Sequence, residues 1–339
     1  MRLGLIILFL SSAAALRVAF LSDMHVGEDC GAPYNGTEDC PSVVNDRRAV
    51  ARINSLAPPV DAVIITGDIT SSAWPTQWAK ALDILSALKA PYFPTMGNHD
   101  IWPYCGKNET LTPTGDVLFE ATFGPLLRAS PNVSRYDPQP VRNLHNTTSS
   151  YQNFQLTLTS GAARLAFFAG DWSTREPAPP GDMGVPGWVE RGLSDFPGGP
   201  LPWLRDALAA EKAAPAPAAR LFLIQHQPIT CPFYMPDALF CFGALDKVLL
   251  EKALEQSWPR AAWWGVWAGH NHLALNQSTP FLDWPGFREV EVSAVKGDGL
   301  NHDVASSFNV VTFEEANVRL IEQHAYTISS GAWAVRAGI

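Results

Sequence analysis

The stretch Ala62-Val-Ile-Ile-Thr-Gly-Asp68 indicates the fold class more clearly than any other part of the sequence. Its continuous apolar run is typical of a strand that is buried on both faces of a parallel sheet. The glycine and aspartate after the run place a sharp turn and a carboxylate at the carboxyl end of this strand. Because ligand sites in open α/β sheets assemble at such strand ends, Asp68 is a candidate site residue.

Four other short motifs each follow a predicted strand in the same way. They are Asp23-Met-His25, Gly97-Asn-His-Asp100, Gln225-His226 and Gly269-His-Asn-His272. Their carboxylate, amide and imidazole groups are donors that divalent and transition metals take in proteins. Two metals about 3.5–4 Å apart need a shared ligand, and the two oxygens of a carboxylate suit that task. The sequence therefore predicts a metal centre built from residues of these five motifs, in which a carboxylate is shared by two ions.

Strand-like and helix-like segments alternate along most of the chain and give way to strands near its end. Helices are predicted from Asn45 or Asp46 to Leu56, then over 75–88, 117–123, 203–214 and 244–256. Three strand candidates, 288–295, 308–313 and 318–323, occupy the tail. This order predicts an α/β fold, a four-layer α-β-β-α sandwich of two mixed sheets flanked by helices. We expect one domain over 16–339, with a loop-rich insertion at 102–150 and a β-rich part at 288–339.

Composition narrows the classes of partner. The chain of 339 residues has a formal net charge of -9 and contains no block rich in lysine or arginine. Sequence-independent binding to nucleic acid or to an anionic membrane surface needs such a block. We therefore expect no nucleic-acid surface and no polybasic membrane docking.

The N-terminal segment 1–15 has the features of a signal peptide. Arg2 precedes an unbroken apolar run over 3–10, and three alanines at 13–15 match a cleavage site. The alternative is a membrane anchor, but the apolar run is too short to cross a hydrocarbon core of about 30 Å. We expect cleavage, and no membrane span after it.

Glycosylation sequons and cysteines agree with export. Asparagine-linked glycans are predicted at five sequons, Asn35, Asn108, Asn132, Asn146 and Asn276. Cys30 with Cys40 and Cys231 with Cys241 can each close a short loop, but Cys105 can replace a member of either pair, so the connectivity stays open. We expect a secreted protein, extracellular or in the endomembrane lumen, that contains disulfides.

The ordered set D-x-H, G-D, G-N-H-D, H and G-H-x-H, running from Asp23 to His272, resembles the calcineurin-like metallophosphoesterase superfamily. Its first and third motifs are most similar to the cyclic-nucleotide and glycerophosphodiester phosphodiesterase-like group. The resemblance implies a hydrolase of phosphodiesters or phosphomonoesters in which a metal-bridging hydroxide attacks the phosphate. Purple acid phosphatases carry a tyrosine where this chain has Ser71, so the metals implied are Fe, Mn or Zn in some combination.

The resemblance also implies a role for each residue. Asp23, His25 and His272 would hold the first metal and Asp68 would bridge both metals. Asn98, His226 and His270 would complete the second. His99 would face the substrate and stabilise the transition state or protonate the leaving oxygen, with Asp100 orienting its ring. His145, His302 and His324 match no motif and are interpreted as surface or structural residues.

Two other functions are compatible with the same motifs. One is a catalytically silent glycoprotein in which the fold serves as a binding module. Members that have lost catalysis usually lack the G-N-H-D histidine or metal ligands, and His99 and every ligand position are present here, which favours an enzyme. The other is a sphingomyelinase-like phosphodiesterase, which the lack of a cysteine-rich saposin-type segment disfavours.

Overall fold

The protein is seen here as a computed structural model that describes residues 15–28, 30, 40–101, 113–144, 148–175, 189–231, 240–272, 275–278, 284, 286–292, 294–297 and 302–338. The α-helices within these ranges are α1 (Pro41–Asn54), α2 (Pro75–Ser86), α3 (Gly115–Ala129), α4 (Pro200–Lys212) and α5 (Ala244–Ser257). None of the helices in the described ranges is both long and apolar enough to cross a bilayer.

The described ranges contain fifteen β-strands. They are β1 (Leu16–Leu21), β2 (Ala62–Ile65), β3 (Tyr92–Pro94), β4 (Val133–Ser134), β5 (Val141–Arg142), β6 (Thr148–Ser149), β7 (Phe154–Ser160), β8 (Ala163–Gly170), β9 (Arg220–Gln225), β10 (Trp263–Ala268), β11 (Leu275–Ser278), β12 (Arg288–Glu291), β13 (Val304–Glu314), β14 (Asn317–Thr327) and β15 (Ala332–Gly338).

These strands form two mixed sheets and a separate β5–β6 ribbon. The six-stranded sheet has the order β15-β14-β13-β1-β2-β3, and the seven-stranded sheet has the order β11-β12-β10-β9-β8-β7-β4. In the first sheet β1, β2 and β3 are parallel, and in the second β8, β9, β10 and β12 are parallel. Antiparallel strands flank both parallel groups. The predicted α/β fold of two mixed sheets is confirmed.

Aromatic side chains join the two sheets face to face. Phe20 of β1 stacks on Trp267 of β10 with ring centroids 4.1 Å apart, and Phe222 of β9 meets the ring of Phe313 of β13 at 5.6 Å. Such pairs add about 0.5–1.5 kcal/mol beyond the area they bury. Phe20 lies three residues before Asp23, and Trp267 lies three before His270. The same packing therefore sets the spacing of the motifs that follow both strands.

Helices cover the outer faces of both sheets. Apolar residues of α1 and α2, including Val50, Ile53 and Leu85, join the same core cluster as β1 and β2. Leu204 of α4 and Leu254 of α5 pack with the outward-facing residues of β8, β9 and β10. The result is the four-layer arrangement that the alternation of elements predicts.

Several predicted boundaries differ from the structure. α1 begins at Pro41 rather than at Asn45 or Asp46, and α4 begins at Pro200 rather than at 203, since proline is favoured in the first turn. The helix expected over 117–123 extends over Gly115–Ala129. The strand expected over 288–295 ends at Glu291, and β15, whose side chains are mostly exposed, was not predicted.

Candidate metal centre

The five motifs meet at one end of the two sheets, because each follows the carboxyl end of a parallel strand. Main-chain hydrogen bonds tie their loops together. The N–H of Asp23 donates to the Gly67 carbonyl at 3.1 Å, and that of His25 donates to the Asp68 carbonyl at 2.9 Å. The N–H of His270 donates to the Asp23 carboxylate at 3.1 Å. The last bond joins one sheet to the other directly at the site.

Buried and partly buried donors that follow different strands form three overlapping groups in which all candidate ligand atoms lie within 4.8 Å of one another. The groups are Asp23, His25 and His272; Asp68, His226 and His270; and His25, Asp68 and His99. The structure thus brings together six of the seven predicted ligands in these groups. The seventh, Asn98, is buried in the loop after β3.

Asp68 joins the groups through one carboxylate oxygen, Oδ2. Its Oδ2 lies 3.0 Å from His226 Nε2 and 3.5 Å from His25 Nε2. Its Oδ1 accepts a hydrogen bond from the backbone N–H of His99 at 2.9 Å. Asp23 is the corresponding carboxylate of the first group, with His272 Nε2 3.3 Å from its Oδ1. Asp68 therefore contacts both halves of the cluster, and more closely than Asp23, whose Oδ1 lies 4.0 Å from His226 Nε2.

Five of the predicted ligands have left-handed backbone conformations. The φ angles are 51° for Asp23, 47° for His25, 49° for Asp68, 79° for His270 and 57° for His272. Residues other than glycine are uncommon there, and such conformations cost about 1–3 kcal/mol each. The surrounding fold maintains these conformations, and they turn the chain sharply where each strand ends. Strain concentrated at one cluster is typical of a functional site.

Two glycines allow the close approach of these loops. A Cβ on Gly97 would overlap the Asp68 carboxylate and its backbone nitrogen. A Cβ on Gly269 would overlap Ser22 Oγ and lie 2.7 Å from Asp23 Oδ2. Only glycine fits at either position.

Burial and neighbouring charges set the ionisation of the cluster. Burial raises the pKa of Asp68, but the charges of His226 and His99 outweigh it and hold the pKa below its usual range. Burial lowers the pKa of His226, but the Asp68 carboxylate raises it to about 9. Burial and neighbouring histidines lower the pKa of His25 to about 4 and that of His270 to about 3. Ionised aspartate and neutral histidine are the forms that bind metals, so His226 would have to release a proton when a metal binds.

Several buried polar atoms in the cluster make no hydrogen bond within the described residues. They are both ring nitrogens of His25, Oδ1 of Asn98 and Nε2 of His270. Buried polar atoms without partners are rare in native proteins and need an explanation. Metal ions would satisfy the atoms directed at the centre, and nitrogen and oxygen donors suit Fe, Mn and Zn alike. The residues present fit a two-metal centre.

His99 occupies the accessible rim of the cluster. Its side chain is 29% exposed, whereas those of His25 and His226 are almost fully buried. Its Nδ1 lies 2.8 Å from the Ser71 carbonyl, and its Nε2 lies 3.9 Å from Asp68 Oδ2. The contact with Ser71 fixes the orientation of the ring.

Asp100 differs from the prediction that it orients the ring of His99. Its carboxylate accepts hydrogen bonds from the backbone N–H groups of Ile69, Thr70 and Gly97 at 2.8–3.0 Å, and from the Thr70 hydroxyl at 2.8 Å. Burial raises the pKa of Asp100 to about 7. The side chain thus joins the loop after β2 to the loop after β3, and the Ser71 carbonyl is the group that contacts the His99 ring.

The sequence did not reveal three groups that contact the histidines. The Thr66 carbonyl lies 2.8 Å from His226 Nδ1, and the Ser71 carbonyl contacts His99. Backbone carbonyls leave no trace in the residue type. Glu28 Oε2 lies 3.5 Å from His25 Nδ1, and a carboxylate three residues after the histidine was the available signal.

The structure resolves the open cysteine pairing. Disulfides join Cys30 to Cys40 and Cys231 to Cys241. The first follows the Asp23-Met-His25 motif, and Cys241 Sγ of the second lies 3.9 Å from the side-chain nitrogen of Asn271. Both disulfides therefore brace loops that border the metal centre, and Cys105 lies outside the described residues.

Two of the three histidines that match no motif, His302 and His324, lie within the described residues and outside the three donor groups. His324 is buried and stacks on Phe308 with ring centroids 4.9 Å apart, which is a structural role. His302 is exposed, and His145 falls outside the described residues.

Comparisons with known proteins agree with this arrangement. The family model described as calcineurin-like phosphoesterase matches residues 16–273. The fold is similar to a dimetal phosphatase from Danio rerio, with a TM-score of 0.56, 13% identity and coverage of 94% of this chain and 98% of that one. It is also similar to GAP50, the anchor in the inner membrane complex of Plasmodium, with a TM-score of 0.53, 14% identity and coverage of 95% and 88%. A search of curated protein sequences found no match.

The family match spans well over half of the chain and includes all five motifs. The two structural likenesses are at low identity and show the fold. The resemblance recognised from the motifs is thus confirmed. The chain belongs to the calcineurin-like phosphoesterase family and is a metal-dependent phosphoric ester hydrolase.

Proposed function

We propose that the chain is a secreted two-metal phosphoesterase of the phosphodiesterase-like group, acting on phosphodiester or phosphomonoester bonds. One observation carries the proposal: Asp68 Oδ2 lies 3.0 Å from His226 Nε2 and 3.5 Å from His25 Nε2. A single carboxylate between two sets of imidazoles is the arrangement that two neighbouring metals require.

The ligand assignment follows the donor groups. Asp23, His25 and His272 would hold the first metal, and Asn98, His226 and His270 the second, with Asp68 shared. The identity of the metals, Fe, Mn or Zn, is left to chemical analysis. The chemistry that such ions supply when bound is Lewis acidity toward phosphate oxygen and activation of water.

The residues of the chain itself position the substrate and move a proton. His99 Nδ1 donates to the Ser71 carbonyl, so Nε2 is the nitrogen directed toward the centre. A proton on Nε2 would hydrogen-bond to the substrate and pass to the leaving oxygen as the ester bond breaks. Asp100 supports this geometry indirectly, since it anchors the loops that carry Asp68 and His99.

A binding module without catalysis is the second candidate. The fold resembles that of GAP50, whose description as an anchor names no chemistry. The complete donor set and the rim position of His99 favour the enzyme, because a purely structural module has no need of them.

Metal analysis of the purified protein, with a panel of ester substrates, tests the proposal. We expect two metal ions per chain, hydrolysis of an aryl phosphodiester or monoester, loss of activity with a chelator and recovery on adding Mn²⁺ or Zn²⁺. Bound metal with no turnover across the panel would support the binding module. Protein that binds no metal would contradict both the ligand assignment and the enzyme.

Export is the second part of the proposal, with cleavage of segment 1–15 leaving the domain 16–339. Two disulfides support it, since such bonds persist in oxidising compartments. Asn132 in the turn before β4 and Ser134 in β4 are the ends of one sequon, and both are exposed. Asn276 lies in β11, and Asn35, Asn108 and Asn146 fall outside the described residues.

Protein secreted from a eukaryotic host is expected to carry glycan on Asn132. Enzymatic deglycosylation should increase its gel mobility. Asn132→Gln and Ser134→Ala should each remove the mobility difference that corresponds to one glycan. Thr157→Ala, outside any sequon, is the control and should leave the pattern unchanged. Absence of any mobility shift would contradict the glycan prediction.

A further inference from the structure

His25 turns its two ring nitrogens toward different surroundings. Nε2 lies 3.8 Å from Asp23 Oδ1 and 3.5 Å from Asp68 Oδ2, on the side of the metal centre. Nδ1 lies 3.5 Å from Glu28 Oε2. A ring that coordinates a metal through Nε2 carries its proton on Nδ1. Nδ1 makes no hydrogen bond within the described residues, and Glu28 places a carboxylate beside it that would accept one after a small rotation of the side chain.

Glu28 is itself held by Lys296. Nζ of Lys296 lies 2.6 and 2.9 Å from the two carboxylate oxygens of Glu28. The backbone N–H of Lys296 also donates to the Asp23 carbonyl at 3.3 Å. Both side chains are only partly exposed, 33% for Glu28 and 21% for Lys296. One residue thus contacts the main chain of the first motif and the carboxylate beside its histidine.

We propose that Glu28 and Lys296 are positioning residues that set the orientation and basicity of His25. The inference rests on the proposed role of His25 as a metal ligand. A carboxylate that accepts the outer N–H of a ligating histidine fixes its tautomer and ring orientation and raises its basicity. Loss of such a partner typically lowers metal affinity by about 10–100-fold.

The other histidines show why a lysine is needed here. His226 and His99 each have Nδ1 2.8 Å from a backbone carbonyl, of Thr66 and Ser71, and a carbonyl is fixed by the main chain. A glutamate side chain has rotatable bonds, so its charge stays beside His25 only if another group holds it. Lys296 supplies that restraint.

Lys296 also lies outside the part of the chain that matches the family model. The match ends at residue 273, and Lys296 is 268 residues from Glu28 in sequence. The turn that carries it follows β12, and the Val295 N–H donates to the Ser22 carbonyl at 2.9 Å. The β-rich tail of this chain thereby reaches the loop of the first motif, which is a feature of the chain beyond the family match.

A plain ion pair that only ties the tail to the β1 loop is the competing explanation. This explanation predicts that removing the charge of Glu28 or Lys296 lowers the stability of the fold but leaves the affinity for a metal ion unchanged. The two explanations differ in the Kd for a metal ion, measured beside the Tm of the metal-free protein.

The test compares variants of the full chain by titrating metal-free protein with Zn²⁺. We expect Glu28→Gln to raise the Kd by about 10–100-fold. Lys296→Met should weaken binding in the same direction by a smaller factor, because Glu28 keeps its charge but loses its restraint. Asp83→Asn is the matched control, since Asp83 pairs with Arg47 at 2.8 Å on an exposed surface, and its Kd should stay at the wild-type value.

A charge swap separates the explanations further. Glu28→Lys combined with Lys296→Glu keeps the ion pair but places an ammonium beside His25. We expect the Tm of the metal-free protein to recover while the Kd for Zn²⁺ stays weak. An unchanged Kd in Glu28→Gln, or full recovery of the Kd in the swap, overturns the inference alone. Failure of the wild-type chain to bind Zn²⁺ would overturn the proposed function with it.

Discussion

Asp68→Ala is expected to lose both metal ions and to reduce turnover to the uncatalysed background. The carboxylate contacts imidazoles of both donor groups, at 3.0 Å for His226 and 3.5 Å for His25. Removing it leaves a buried cavity and two sets of ligands without their common charge. Elemental analysis of the purified variant and its rate on the best wild-type substrate measure the effect.

Asp68→Asn separates charge from shape in the same test. An amide can still accept the hydrogen bond from the His99 N–H, which lies 2.9 Å from Asp68 Oδ1. The amide lacks the negative charge, so we expect metal affinity to fall by more than about 100-fold. That factor is the upper end of the loss expected when a residue only hydrogen-bonds to a metal ligand. Two bound metals and turnover near the wild-type rate in this variant would show that Asp68 is not the shared ligand.

Asp116→Asn is the matched control for loss of a buried carboxylate. Asp116 is buried, as Asp68 is, but its carboxylate accepts hydrogen bonds from the backbone N–H and hydroxyl of Ser150, at 2.7 and 3.1 Å. The variant can lower the Tm, but it should retain both metal ions. If Asp68→Asn loses metal and Asp116→Asn does not, the loss arises from the metal centre and not from lower stability of the fold.

The strands that carry the site were the most predictable part of the fold. β2 is the clearest case, a continuous apolar run buried on both faces, and the sequence located it to within one residue. Strand β15 was not predicted: its side chains are mostly exposed, and its formation depends on pairing with β14. Helix starts were misjudged where Pro41 and Pro200 open the first turn ahead of a more conspicuous residue.

The metal centre was predictable to the extent that it depends on strand ends. Asp23, Asp68 and His226 could be grouped because parallel strands deliver them to one edge of their sheets. Their mutual distances depend on how the sheets pack, through pairs such as Phe20 and Trp267, and no local pattern contains that information. The contact of Lys296 with Glu28 is of the same kind, since it joins residues 268 positions apart.

His99→Ala is expected to retain two metal ions and to lose turnover by about 10²–10⁴-fold, the usual contribution of general acid–base catalysis. His99 is 29% exposed at the rim, and its ring is held by the Ser71 carbonyl independently of any metal. The substitution should lower kcat. The decrease should be smaller for an ester with a nitrophenolate leaving group, which departs without a proton, than for an ester with an alcohol leaving group. Rates across a series of aryl and alkyl esters measure this dependence.

Metal content decides the role of His99, because its imidazole also lies in one of the three donor groups, with His25 and Asp68. If His99 is a ligand, His99→Ala loses metal and turnover together and the loss is the same for every leaving group. If it transfers a proton, metal stays bound and the loss grows with the pKa of the leaving alcohol. His302→Ala, at an exposed histidine outside the motifs, should change neither quantity. The rim position of His99 and its contact with Ser71 favour the proton-transfer outcome.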